Sequence, residues 1–344
     1  MDSLRKMTAE RAVYAVLMLI VLGGSIALST ILHTDSDYAA GLTKPEVNQP
    51  AEAEEGVPTI EEPDYSYERY VVTFTGSINA GSMLGSSSYG TICGLDAEKG
   101  GAYFMESLTD ITLSDDMTFS FLSSVFSDNG DMSQLNGDSG WYLAPAENAD
   151  ILSLGGVDAV SLECSGTMGY GKNGYEDTKS SLEKLDIKWG NSGKAIYDEH
   201  SSGVKTAVYP CTYKEENIEG ILAWIKKASA ERDFVALAIS SEGKTTDELS
   251  EVFHSFVDAG ADLVVSTNCK SIATTEYYNN GFIAYSLGSL INGADKYSEK
   301  YSAILEAELI IDGGELKRVN YSVVPIQNYS DEEFWHPFVA DNNE

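Results

Sequence analysis

The sequence predicts an α/β fold, with mixed sheets flanked by helices. Three features point to it. Short apolar runs of strand character recur along the chain, amphipathic helical patterns separate several of them, and a Gly-Gly turn joins two long strand-like segments near the C-terminus.

The elements follow in order. Folded structure is expected to start at YVVTFTG, Tyr70 to Gly76, an apolar run ended by glycine and therefore read as a buried first strand. Further strands are expected at VDAVSLE (157–163), VKTAVYP (204–210), FVALAIS (234–240), ADLVVST (261–267) and FIAYSLG (282–288). Between them GYEDTKSSLEKL (174–185) and ENIEGILAWIKKASAE (216–231) carry apolar residues at three- and four-residue spacing, the period of a one-sided helix. DELSEVFHSFVDAG (247–260) does the same and ends on Gly260, as a helix C-terminus does. Alternation of strand and helix argues for a largely parallel or mixed sheet. SAILEAELIIDGGELKRVNYSVVPI (302–326) reads as a hairpin turning at Asp312-Gly313-Gly314, followed by a polar C-terminal tail over 329–344. The sequence shows no internal repeat.

Ahead of this region, Ala12 to Leu32 runs 21 residues without a charge. A helix of that length spans about 30 Å, the thickness of a bilayer's hydrocarbon layer. Arg5, Lys6 and Arg11 precede it and Asp35 and Asp37 follow. The expectation is a cytoplasmic tail over 1–11, one transmembrane anchor over 12–32, and everything beyond it outside the cell. A cleaved signal peptide is the alternative, although the apolar stretch exceeds the usual signal core. Residues 33–68 hold four of the eight prolines, ten acidic residues and one lysine. Such a segment buries too little to offset its ordering entropy and reads as an extended linker.

The chain carries 54 acidic against 22 basic residues, a formal charge of −32. That balance argues against nucleic acid or anionic lipid as a partner, since both require a positive footprint. In an α/β sheet the chemistry belongs in loops beyond the carboxyl ends of strands. Here those loops, Gly76–Gly85, Glu163–Gly174, Ser240–Gly243, Ser266–Ser271 and Ser289–Gly293, are rich in Ser, Gly and Asn and nearly free of His and Asp.

Four segments, in order, resemble the bacterial CapA family of capsule and poly-γ-glutamate synthesis proteins: FTGSINAG (74–81), DDMTFSFLSS (115–124), GVDAVSLECSGTMGYGKNGYEDT (156–178) and DAGADLVVSTNCKSIATTEYYNNGFIAYSLGSLI (258–291). The last is similar to that family's Gly-Ala-Asp-x-Val-x-Gly-His-His-Pro-His segment and Tyr-Ser-Leu-Gly-Asn-Phe strand. The resemblance implies a metallophosphatase-like α/β sandwich over 69–328, with carboxylate, Asn and His ligands converging on divalent metal.

Residue by residue, the ligands are replaced. Ser77 stands for the family's first Asp, with Asn79 two residues on. Phe121 and Ser123 replace Asn and Glu, and Cys164, Ser165 and Gly166 replace an Asn-Asn-His triplet. Ser240 falls near a later His, Thr267, Asn268, Cys269 and Lys270 replace the His-His-Pro-His run, and Ser289 replaces the Asn of Leu-Gly-Asn. The four histidines, His33, His200, His254 and His336, all lie elsewhere. A lysine about 4 Å from a divalent ion adds roughly 8 kcal/mol of repulsion at an effective dielectric of about 20. The expectation is a family member with no metal, no cofactor and no catalytic residue at this site.

Remaining signals are weaker. GYGKNG (169–174) fits a Gly-x-Gly-x-x-Gly pattern but reads as a loop, and GDSG (137–140) reads as a turn rather than a serine nucleophile. His254 is expected to be a partly buried structural residue. By the resemblance, Cys164 and Cys269 lie on converging loops and form a candidate disulfide; the other reading leaves Cys93, Cys164, Cys211 and Cys269 as free thiols. Three functions follow: a non-catalytic, membrane-anchored accessory or scaffold among envelope-polymer assembly proteins; a hydrolase with a rebuilt site drawing on Ser77, Asn79, Glu163, Glu242, Asn268 and Lys270; or a glycan- or peptide-binding module using tyrosine-rich loops such as Glu276-Tyr277-Tyr278.

Overall fold

Strand Phe234–Ser240 is buried at every position, and its side chains alternate between two cores. Phe234, Ala236 and Ala238 enter one apolar cluster, and Leu237 and Ile239 enter another. Such a strand is covered on both faces, and that explains its unbroken apolar sequence. The computed structural model describes residues 67–83, 91–129, 142–268, 270–293 and 299–340. The tail 1–11, the anchor 12–32, the linker up to residue 66, the GDSG turn and Cys269 lie outside the described residues. Among the described residues no helix is long and apolar enough to cross a membrane.

The strands are β1 (Glu68–Asn79), β2 (Ser82–Met83), β3 (Met117–Leu122), β4 (Val125–Phe126), β5 (Tyr142–Ala144), β6 (Ala159–Ser161), β7 (Lys188–Gly190), β8 (Ile196–Glu199), β9 (Lys205–Thr212), β10 (Phe234–Ser240), β11 (Leu263–Thr267), β12 (Thr275–Tyr278), β13 (Gly281–Ala284), β14 (Ser289–Asn292), β15 (Tyr301–Asp312), β16 (Glu315–Gln327) and β17 (Phe338–Val339). The α-helices are α1 (Ile92–Lys99), α2 (Thr109–Thr112), α3 (Asp150–Leu154), α4 (Gly171–Lys184), α5 (Ile218–Ala228) and α6 (Thr246–Asp258).

Two mixed sheets pack face to face. One runs β17-β16-β15-β1-β3-β6-β7 with β14 also on β1, and the other runs β12-β13-β11-β10-β9-β8; β2, β5 and β4 form a small third sheet. Tyr70, Phe74 and Phe119 from the first sheet meet Phe234, Leu263 and Phe282 from the second in the central core. A second core lies against α3 and α4 and includes Ile151, Leu152 and Leu182. A third holds Ile221 and Ile225 of α5 with Leu249, Phe253 and Phe256 of α6. The layers are helix, sheet, sheet, helix, a mixed α/β architecture.

The parallel strands share a device. Asp116, Asp158, Asp233 and Asp262 each stand just before a strand. Their carboxylates accept the backbone N–H of Val71, Thr118, Lys205 and Val235 on the neighbouring strand, at 2.7–2.8 Å. The same aspartates donate their own N–H groups to the carbonyls of those four residues at 2.8–3.0 Å. Each acid closes the ladder where its neighbour would leave an orphan donor.

Several boundaries depart from the sequence reading. Folded structure begins at Glu68, inside the expected linker, because Glu68 already pairs with Ile311. The expected loop from Gly76 is strand as far as Asn79, held by parallel pairing to β3 and β14. At Gly76 the register shifts, and a Cβ there would lie 2.7 Å from the Gly288 carbonyl oxygen. The bulge reverses the alternation: Phe74 faces the central core, Ile78 the outer one.

FIAYSLG is not one strand. After β13 the chain crosses from the second sheet to the first, turning at Gly288 with φ 76° before entering β14. GYGKNG is no loop either, since α4 opens at Gly171 and Gly174 sits inside it, where a Cβ would press Tyr170 and Val125 at 2.9 Å. Glu276-Tyr277-Tyr278 belongs to the edge strand β12. The residues after 328 are not a loose tail: β17 pairs with β16, and Trp335 and His336 are buried. Helices α1 to α3 are short and escaped the periodicity reading.

Candidate functional site

The positions expected to replace metal ligands gather toward the carboxyl ends of β1, β3, β10 and β11 and the start of β14, and hydrogen bonds within the protein hold most of them. The Gly288 carbonyl accepts the Ser77 N–H at 3.0 Å and the Thr267 hydroxyl at 3.1 Å, which ties the first sheet, the second sheet and the crossover at one atom. Ser289 donates its N–H to the Lys270 carbonyl at 2.9 Å and directs its hydroxyl toward the Ser77 carbonyl at 3.5 Å. Asn268 Oδ1 accepts from the Lys270 N–H at 2.9 Å and from Ser286 Oγ at 3.2 Å, which folds the loop back on itself. Beside it the Ser241 and Ser266 hydroxyls share a 2.6 Å bond. Ser240 is buried and its carbonyl accepts the Tyr213 N–H at 2.8 Å.

On the β3 side the filling is apolar. Phe121 is wholly buried in the central core, edge-on to Phe119 at 5.7 Å between centroids. Ser123 binds the Ile78 carbonyl through its N–H at 2.9 Å and its hydroxyl at 3.3 Å. Asn79 Oδ1 caps the Gly81 N–H at 3.1 Å. Gly166 is closed to any side chain: a Cβ there would stand 1.9 Å from the Ser123 carbonyl oxygen. Cys164 is buried beside it; its expected partner, Cys269, lies outside the described residues.

This donor set does not fit a divalent metal. The gathered groups are hydroxyls, amides, a phenyl ring, the Cys164 thiol and an exposed lysine, with no carboxylate or imidazole at any of these positions to serve a divalent ion. Among the described residues no group of three or more His, Cys, Asp or Glu is placed to hold an ion. His200 lies beside Ser202, with 2.8 Å between Nδ1 and Oγ. His254 is half-buried on α6, bonded to Glu276 at 2.8 Å and stacked on Tyr278.

An open cavity of about 440 Å³ adjoins the filled positions, at the ends of β6, β9 and β10. Cys164, Ser165 and Ser240 line it, whereas Ser77, Asn79, Phe121, Ser123, Thr267 and Ser289 do not. Two carboxylates brace its walls. Glu163 accepts the Thr212 hydroxyl at 2.6 Å and the Ser192 N–H at 2.7 Å. Glu242 accepts Ser165 twice, from Oγ at 2.6 Å and from N–H at 3.1 Å. Tyr175, Tyr213, Met168 and Lys214 complete a lining of aromatic, apolar and charged surface. The sequence reading names the loops of Glu163 and Glu242 but misses Tyr213 and Lys214. It ends the strand at Pro210, while pairing with β10 carries β9 on to Thr212. Within the rebuilt set, the structure brings Glu163 and Glu242 to one cavity and leaves Asn79, Asn268 and Lys270 out of its lining.

A family model described as bacterial capsule synthesis protein PGA_cap matches residues 71–294. No curated protein matches the chain. Among solved structures, the chain is similar to the crystal structure of a hypothetical protein from Thermus thermophilus. The identity is 13% and the TM-score 0.45, with 74% of this chain and 99% of that one covered.

Proposed function

The chain belongs to the bacterial capsule synthesis protein family, and from that premise we propose that it is a membrane-anchored, extracytoplasmic accessory of capsule or cell-envelope polymer assembly that binds rather than cleaves. The observation that carries this reading is the contrast at the strand ends. The ligand positions are locked in bonds within the protein, and Gly166 has no room for a side chain, yet an open cavity survives beside them. The charge-free stretch 12–32 supports the anchor. The tyrosines and Lys214 of the cavity suit a polymer segment with both apolar faces and polar groups. Poly-γ-glutamate is one candidate polymer. It would have to overcome the chain's charge of −32.

The test is elemental mass spectrometry of the full chain purified without chelator, paired with retention of isolated envelope polymer. Metal near zero after incubation with Mn, Fe and Zn, with retention lost in Tyr213→Ala, supports the reading. One or two tightly held ions per chain would sink it.

The 2.6 Å contact between Ser165 and Glu242 favours a second reading, a metal-independent hydrolase with Ser165 as nucleophile and Glu242 as base. Turnover of an ester or phosphoester panel that disappears in Ser165→Ala would select it over binding alone.

A further inference from the structure

The segment after β16 places His336 in a setting the family site does not use. The ring is 6% exposed, with Nδ1 2.7 Å from the Tyr103 carbonyl oxygen and Nε2 2.9 Å from Ser107 Oγ. A carbonyl oxygen only accepts, so Nδ1 carries a proton, and in the neutral form Nε2 is left as the acceptor that faces the serine hydroxyl. Ser107 is exposed, on the short 3-10 turn Glu106–Leu108. The Tyr103 ring packs on the imidazole at 4.6 Å. Trp335, just before His336, has φ 51°, a left-handed conformation that is rare for a bulky side chain, and its indole N–H is pinned to the Asn292 carbonyl at 2.7 Å. Glu333 lies 3.9 Å from Nε2, where it offsets positive charge on a protonated ring.

We propose that Ser107 and His336 form a nucleophile–base pair for acyl transfer, separate from the strand-end site, with the Tyr103 carbonyl as the group that orients the base. The arrangement meets both geometric requirements of an activated serine: a base within hydrogen-bond reach, and a third group fixing that base's tautomer. In the first step Ser107 Oγ attacks an ester carbonyl carbon and its proton passes to His336 Nε2. The carbon–oxygen bond to the leaving alcohol breaks, and the alcohol takes that proton. In the second step water, deprotonated by Nε2, cleaves the acyl-serine and releases a carboxylic acid, returning the proton to Ser107. Burial, then the Glu333 and Glu106 carboxylates, push the Tyr103 phenol up to about 12. The pair therefore sits in a negative field, and its substrates are neutral acyl esters rather than anionic ones.

The full chain is treated with a fluorophosphonate reagent and the modified peptide mapped by mass spectrometry. The expected result is an adduct on Ser107 that is absent in Ser107→Ala, persists in Ser165→Ala, and forms at least tenfold more slowly in His336→Gln. In the unsubstituted chain the Ser107 adduct should form far faster than on the other exposed serines, a selectivity that a merely structural contact would not give. No adduct on Ser107, an unchanged rate in folded His336→Gln, or labelling spread evenly over exposed serines would each overturn the proposal. Because labelling needs neither metal nor the cavity, its failure leaves the binding reading intact, and the converse holds.

Discussion

The Ser77 hydroxyl is buried with no hydrogen-bond partner among the described residues, although its backbone N–H is bonded. A buried polar atom in that state costs stability, so removing it should not hurt. Ser77→Ala is expected to leave stability unchanged or raise it by about 1 kcal/mol. Ser77→Asp, which introduces the acid that the resemblance expects there, would bury a charge among neutral groups and cost about 3–5 kcal/mol. Urea denaturation of both variants checks this; comparable losses would mean the hydroxyl has a partner after all. At this scale the sequence shows which residue types stand at the expected ligand positions, because identity alone decides whether a ligand is present. It does not show how those positions are filled. The knot at the Gly288 carbonyl depends on a crossover between sheets, and the closure around Gly166 depends on a carbonyl 43 positions earlier in the chain, at Ser123.

Elements were legible where one period ran long enough. FVALAIS is strand β10 end to end, and Leu249, Phe253, Phe256 and Val257 line one side of α6 as their spacing requires. Both glycines of the Gly313-Gly314 turn have positive φ, the geometry that a two-residue hairpin with the native twist demands. Short elements were not legible. The strands β7 and β8 have three or four residues each and are specified by their neighbours rather than by their own pattern, whereas β6 falls inside the run expected at 157–163. The start of α6 offers the element-scale test. Thr245 and Glu248 form a reciprocal cap, with the Thr245 N–H donating to Glu248 at 2.9 Å, and Glu248 is held down to about 2, chiefly by that bond. Thr245→Ala should cost about 1 kcal/mol. The loss should appear as faster hydrogen exchange in the first turn of α6, with β10 and β11 unaffected; exchange loosened throughout would tie the cap to the whole sheet instead.

Across the whole molecule, acidity and burial pull in opposite directions. Asp96, Asp115 and Asp262 are pushed up to about 6, in each case chiefly by burial. Asp158 is raised for the same reason. Unfolded, these acids titrate near 3.8. Between pH 6 and 4 the folded chain therefore holds more protons than the unfolded one, and stability rises as pH falls through that window. Release of the repulsion that comes with a charge of −32 acts in the same direction. Glu248, Glu276 and Glu308 are held below the usual range by their hydrogen bonds and ion pairs. Their contribution is present above about pH 4.5 and is lost below it. Two opposed slopes make a maximum, and thermal melting from pH 3.5 to 8 should find Tm highest near pH 5. Added salt should raise Tm at pH 7.5 far more than at pH 5, because screening matters most where the charge is greatest. A Tm that falls steadily from pH 7.5 to 5 would show that the buried aspartates are ionised without penalty, and that the closure of the sheets by their carboxylates stabilises the fold more than burial opposes it.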